Sequence, residues 1–323
     1  MFIRWSVLAV TLRPRPDVLL VGTDPILSAT VAFFWKLFAP RTKIAHWCFD
    51  LYPEAAIADG LLPPHGFFAR VFRRLMRSAY RKCDLIADLG PCMRHLLLRY
   101  PSKALRETMV PWAIDEPDAP LPVSASERAL LFADAPLTLL YSGGFGRAHS
   151  YEEILNLAEM LRPHGGKLVF SVRGKRQMEL RQAVKERNAP VEFVPVASQD
   201  KLQDRLGCAD IHVVTLRSAW TGMVVPSKFF GALSAGRPIL FAGDPESSLA
   251  QWIQEFRVGW VLTGENLQQV GRELLDYASS SQKIDTMQKR CFAVYRVQFS
   301  RQEQIDHWDR SLKSLLRVGQ PQN

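Results

Sequence analysis

GMVVPSKFFGALSAGRPILFAG, residues 222–243, is the stretch on which the reading of this chain turns. Pro226 has no N–H to leave unbonded and suits a first helical turn, while Gly236 suits a left-handed stop. Between them Phe229, Phe230 and Leu233 fall on one helical face. Residues 238–241 then form an apolar run of the length expected for a strand of a parallel sheet. Ser227 and Lys228 stand at the helix start, where unbonded N–H groups, the helix dipole and a cation all favour an anion such as phosphate. The same two residues also fit a plainer account, a capping serine beside a solvated lysine.

Working outward, residues 137–150, LTLLYSGGFGRAHS, precede an amphipathic run over 151–161. Strand, glycine turn and helix is the order in which backbone N–H groups are presented to a phosphate. Gly143 and Gly144 would form the turn, Arg147 offers a planar fork suited to phosphate oxygens, and His149 follows within reach. Together the two stretches resemble the nucleotide-sugar half of a GT-B glycosyltransferase. The likeness is strongest to the family 4-like bacterial enzymes of exopolysaccharide and lipopolysaccharide synthesis, which pair SGxxGRAH with GxxVPSKxxGxLAxGRP.

The resemblance implies an α/β fold of two Rossmann-like domains and transfer of a sugar from a nucleotide-sugar donor to a glycan or lipid-linked acceptor. It places Arg173 and Lys175 beside the donor, and Val196 at a strand end that holds the base through backbone groups. Thr221, Gly222, Met223 and Val224 would face the diphosphate and sugar with Ser227. Many members carry two glutamates eight positions apart, the later one on the ribose; Met223 and Gly231 stand there in this chain. Members open with further strands and a glycine-rich loop, so a shortened N-terminal domain is expected. A degenerate nucleotide-binding accessory protein and a GT-B-fold nucleotide-sugar epimerase are the rival functions.

The chain has 323 residues, 47% of them hydrophobic, enough for two domains. Their expected limits are 1–116 and 127–299, with a final helix over 300–323 crossing back to the first domain. Residues 114–126 hold three prolines without periodicity and read as a linker. Five cysteines without CxxC spacing indicate neither a disulfide framework nor a zinc site. No Asp-x-Asp motif suggests a metal-bridged diphosphate, so leaving-group charge would fall to Arg147 and Lys228, with no cofactor.

A net charge of +9 calls for acidic partners, and no nucleic-acid motif accompanies it. The apolar stretches near the start are too short or too interrupted for a membrane span or a signal peptide. A cytoplasmic protein, peripheral at the inner face of the membrane, is therefore expected.

In chain order, strands are predicted at 17–22, 43–49, 84–89 and 108–112. In the second half they fall at 137–142, 167–173, 191–196, 211–216 and 238–241, alternating with helices as in right-handed βαβ units. A helix is expected from 24 to 38. Asp50 ends the second strand, where α/β clefts gather ligands, although a capping role fits equally. The resemblance places its DLYPE segment beside the cleft and adds Asp50 to the catalytic set. Residues 67–82 read as a helix with Phe68, Phe72, Leu75 and Ala79 on one face and Arg70, Arg74, Arg77 and Arg81 on another. Such a helix could rest on anionic lipid or simply carry a solvated face. The last helix should turn Ile305, Trp308, Leu312 and Leu315 to one side.

Overall fold

Short apolar runs alternating with amphipathic helices give two wholly parallel sheets in the computed structural model, which describes residues 2–317. The first unit holds the described residues up to Val110, the segment Ala219–Val225 and the residues from Gln304 onward. The second holds Pro111–Ser218 and Pro226–Glu303.

The first unit runs α1 (Phe2–Thr11), β1 (Val18–Val21), α2 (Val31–Phe38), β2 (Lys43–Trp47), α3 (Glu54–Ala58), α4 (Phe67–Tyr80), β3 (Leu85–Asp88), α5 (Pro91–Leu97) and β4 (Leu105–Thr108). Its strands lie in sequence order, β1-β2-β3-β4. One face of the sheet packs Ile44, Met76, Ile86 and Met93 against the helices. The other packs Ala45, Leu85 and Ala87 against Trp308 and Leu315 of the last helix. Glu54 is buried, accepts from Tyr100 Oη at 2.7 and 2.8 Å, and meets Arg73 Nε at 3.2 Å, which ties α3 to α4 and the end of α5.

The second unit runs α6 (Ala125–Phe132), β5 (Leu137–Gly144), α7 (Glu152–Leu161), β6 (Gly166–Arg173), α8 (Gln177–Arg187), β7 (Val191–Phe193), α9 (Leu202–Gly207), β8 (Ile211–Thr215), α10 (Lys228–Ser234), β9 (Ile239–Ala242), α11 (Ser248–Phe256), β10 (Gly259–Leu262), α12 (Leu267–Ala278) and α13 (Ser281–Val294). The final helix, α14 (Arg301–Arg317), begins in this unit and continues in the first. The strand order β10-β9-β8-β5-β6-β7 puts β5 inside the sheet, with later strands added first on one side of it and then on the other. That change of side is where open α/β sheets bind ligands, beyond the carboxyl ends of the strands.

Several expectations need correction. The helix expected from 24 begins only at Val31, because Leu27 adopts a left-handed conformation with φ 69° and a 3₁₀ turn intervenes. The strand expected over 108–112 lies earlier, at Leu105–Thr108, paired with β3 from Leu85↔Leu105 to Asp88↔Thr108. The edge strand β10 was not anticipated, being four residues of only partial burial. In α4 the buried residues are Ala69, Met76, Ala79 and Tyr80: Ala79 is inside as expected, but the stripe is otherwise turned by about one position, so Phe68 (63% exposed) and Leu75 (39%) stand outside. Ile305 on α14 is likewise 44% exposed, whereas Trp308 and Leu315 are buried.

Candidate functional site

A cleft of about 650 Å³ opens in the second unit over the carboxyl ends of β5 and β6. Ser142, Gly143 and Gly144 form its floor, Arg173 and Val196 one flank, and Ser227, Lys228, Gly231 and Ser234 of α10 and its approach the other. The glycine turn is shaped by close packing. At Gly174, with φ +134°, a Cβ would lie 2.6 Å from Phe145 O, so the two loops could not approach as they do with any larger residue. Phe145 N donates to Arg173 O at 2.7 Å, which locks the turn to the end of β6.

Lys228 is the centre of the site. Its stem crosses Gly143, where φ is +117° and a Cβ would stand 3.3 Å from Lys228 Cε. Nζ lies 5.1 Å from the Tyr141 ring centroid, a cation–π contact. No carboxylate pairs with the ammonium among the described residues, and burial lowers its pKa to about 8. The plainer account of residues 227–228 does not hold. Ser227 makes no side-chain capping bond and is exposed on the cleft, and Lys228 is desolvated rather than bathed in solvent.

His149 lies behind the turn, stacked on Phe145 with ring centroids 5.8 Å apart, and Nδ1 stands 2.7 Å from Thr215 O. Burial first, and Lys228 second, lower its pKa to about 4, so the ring is neutral and Nδ1–H donates to the carbonyl. Arg147 and Lys175 are exposed and do not line the cleft; Arg147 O accepts from Arg217 at 3.4 Å.

The 221–224 loop, expected to face the diphosphate and sugar, packs in the first unit. Leu51 N donates to Met223 O at 2.9 Å, and at Gly222 a Cβ would come within 2.9 Å of Cys92 O. Val225 joins that unit's core, and Thr221 Oγ1 is buried without a partner. Asp50 therefore neighbours the 221–224 loop. Burial, and then the charge of Asp24, raise its carboxyl pKa. The structure thus gathers the nominated residues into two groups, one per unit. Gly143, Gly144, Arg173, Val196, Ser227 and Lys228 form the first group and Asp50 with residues 221–224 the second, while Arg147, His149 and Lys175 are in the second unit but outside the cleft lining.

Sequence reading missed Asp115, which lines the cleft from the stretch taken for a linker. Prolines argue for absent secondary structure, and that held as far as Ser124, where α6 follows, but they carry no information on what holds the segment in place. Among the described residues there is no cluster of three or more His, Cys, Asp or Glu side chains able to hold a metal, and no helix long and apolar enough to cross a membrane.

No protein-family model matches the chain. WbjE of Pseudomonas aeruginosa, named as a glycosyltransferase, is 24% identical over 266 residues, covering 79% of this chain and 64% of that protein. WcaI of Escherichia coli, named for glycosyl transfer in colanic acid biosynthesis, is 26% identical over 137 residues, 42% of this chain and 33% of that protein. The chain thus spans less than two thirds of the length of either curated relative. Among solved structures, Anabaena HepE in complex with UDP superposes with a TM-score of 0.72 at 12% identity, covering 97% of this chain and 82% of HepE. The two parallel sheets, the switch point at β5 and this likeness make the fold GT-B, the fold of nucleotide-sugar glycosyltransferases.

Proposed function

We propose that this chain is a family 4-like glycosyltransferase of cell-surface polysaccharide synthesis, moving a sugar from a nucleotide donor to a glycan or lipid-linked acceptor. The observation that carries the reading is Lys228, a desolvated cation with no carboxylate partner, laid across the glycine turn of a cleft large enough for a nucleotide. Burying an unpaired charge is costly, and a binding site is where such a cost is offset by a ligand. The names of WbjE and WcaI, and the UDP and UDP-glucose held by HepE, support the same reading.

When the bond between the sugar and the diphosphate breaks, negative charge grows on the leaving phosphate. Lys228 Nζ and the N–H groups of the glycine turn meet that charge in a site partly closed to water, where such contacts are strongest. Anomeric configuration is retained and no divalent metal is required. The test is calorimetric titration with UDP, GDP, ADP and CDP in the presence of a chelator, followed by turnover assays with the matching nucleotide sugars. Binding that needs a divalent ion would remove the metal-free mechanism. Binding without any transfer would favour a non-catalytic accessory role.

The acceptor side meets the cytoplasmic membrane face. On α4, Phe67 and Phe68 are 68% and 63% exposed, beside Arg70, Arg74, Arg77 and Arg81, none of which forms an ion pair among the described residues. Aromatic rings flanked by free cations suit an anionic lipid interface, each cation contributing about 1 kcal/mol near the surface. Replacing the four arginines with glutamine should release the protein from phosphatidylglycerol vesicles. Retention of the variant at low salt would return α4 to a solvated helix.

A further inference from the structure

Residues 113–121 look like a tether in sequence but are fastened along the second unit. Ala113 N donates to Tyr295 Oη at 2.9 Å, Arg301 N donates to Glu116 Oε1 at 2.6 Å, and Tyr295 Oη donates to the same carboxylate. Ser234 Oγ on α10 stands 3.3 Å from Asp115 O and shares its one proton between that carbonyl and Gly231 O at 2.9 Å, while Arg237 Nη2 donates to Leu121 O at 2.8 Å. Asp115 is thereby held over α10 by its backbone. Its side chain is another matter: half-buried, it makes no hydrogen bond and no ion pair among the described residues.

Asp115 is also the sole carboxylate among the residues lining the cleft. The cleft is consequently polarised, with Lys228 and Arg173 on the flanks of the glycine turn and one acid beside Ser234. A diphosphate is repelled by that acid, so the ligand must present hydrogen-bond donors there. A carboxylate has two oxygens and only accepts, and it matches a pair of neighbouring hydroxyls. Space for such a group exists, because a Cβ added at Gly231, which lines the cleft on the same helix, would meet nothing within 4 Å.

We infer that Asp115 accepts the 2′- and 3′-hydroxyls of the ribose of a nucleoside diphosphate whose diphosphate lies at Lys228. The connecting segment then supplies the ribose carboxylate that α10 lacks at Gly231. This rests on the nucleotide reading of the cleft, and the two are separable by experiment.

The measurement is the affinity of the full chain for UDP, GDP, ADP and CDP, each against its 2′-deoxy counterpart. The wild-type protein should prefer the ribo form of the nucleotide it binds by roughly tenfold, the value of one hydrogen bond to a charged group. Asp115→Ala should bring ribo and deoxy affinities together by weakening the ribo form alone. Lys228→Ala should weaken both forms alike and leave their ratio intact. Melting temperature without nucleotide should be unchanged in Asp115→Ala, since the carboxylate has no internal partner to lose. A ribo preference that survives Asp115→Ala, or a wild-type protein indifferent to the 2′-hydroxyl, overturns the assignment while leaving the cleft a nucleotide site. If no nucleoside diphosphate binds the wild-type protein, the nucleotide reading fails first and takes the assignment with it.

Discussion

Lys228 and Arg237 bracket the same short helix, both are cations withdrawn from solvent, and neither has a carboxylate partner among the described residues. They differ in what replaces water. Arg237 is fully buried and saturated by backbone carbonyls: Nε donates to Ala209 O, Nη1 to Ala235 O, and Nη2 to Leu121 O and Gly207 O, all between 2.7 and 3.1 Å. Lys228 has an aromatic face and a glycine backbone beside it, and no hydrogen-bond acceptor among the described residues. A guanidinium with its donors satisfied is a structural clamp, here joining α9, α10 and the connecting segment. An ammonium left without an acceptor is, under the proposed function, where the anion of the donor binds. Charge and burial are nearly shared, so partner count is what separates scaffold from function.

Breaking the clamp should have the larger effect. Arg237→Ala leaves four carbonyls without their donor inside the second unit and should cost on the order of 3–5 kcal/mol of stability, measured by urea unfolding. Nucleotide affinity per folded molecule should fall far less than in Lys228→Ala, because only the Leu121 anchor of the connecting segment is lost. If that variant folds normally but loses the nucleotide, the division between the two cations is wrong.

Lys228→Ala should lower turnover about a hundredfold, or about 3 kcal/mol of transition-state stabilisation, with smaller loss of donor affinity. Its stability should match or exceed the wild type, because removal of a desolvated charge relieves a folding cost. Wild-type turnover in this variant would end the phosphate role.

The pH dependence sharpens the same contrast. The anion needs the charged ammonium, so affinity for a nucleoside diphosphate should hold below pH 8 and fall, by at most tenfold per pH unit, as pH rises through the lowered pKa of about 8. Lys228→Ala should show a flat profile over that range, read by calorimetry at each pH.

Acid should act on the fold instead. His46, His149 and His212 are held neutral by burial, with pKa values lowered to about 4. Between the ordinary value of 6.5 and that value the unfolded chain binds protons the folded chain refuses, so stability should decline as pH falls from 6.5 towards 4. The second unit, with His149 and His212, should lose more than the first, with His46; hydrogen exchange followed by unit would show it.

The smallest effect is expected at Arg147. Reading from sequence paired it with Lys228 on the diphosphate, whereas its side chain is exposed and outside the cleft lining. Arg147→Ala should therefore reduce turnover by less than Lys228→Ala, by about 1 kcal/mol or under, as befits an exposed charge. Equal losses in the two single variants, with a double variant short of their sum, would restore the shared role.

Much of the fold was legible because burial writes itself into sequence. Residues 137–142 and 211–216 are apolar runs with little interruption, as strands covered on both faces must be, and both became strands of the second sheet. The glycines were read at the carboxyl end of the first of these strands and Lys228 at the start of a helix, and both line the cleft. Expectation slipped where burial was partial. In α4 several apolar positions exceed what one face can hold, and only packing chose Met76 over Leu75. At Leu27 a backbone conformation that no composition announces delayed a helix.

Periodicity, glycine placement and the VPSK stretch determined by themselves that the chain forms parallel α/β units with a glycine turn and a lysine-led helix start, because these depend on local spacing and on which faces must avoid water. Tertiary structure alone decided which polar groups find partners. It satisfied Arg237 and Glu54, stranded Lys228 and Asp115, and packed residues 221–225 with the first unit. Hydrogen-bond satisfaction is settled by groups far apart in the chain, as in the Leu121 carbonyl that meets Arg237, and spacing along the sequence does not encode it.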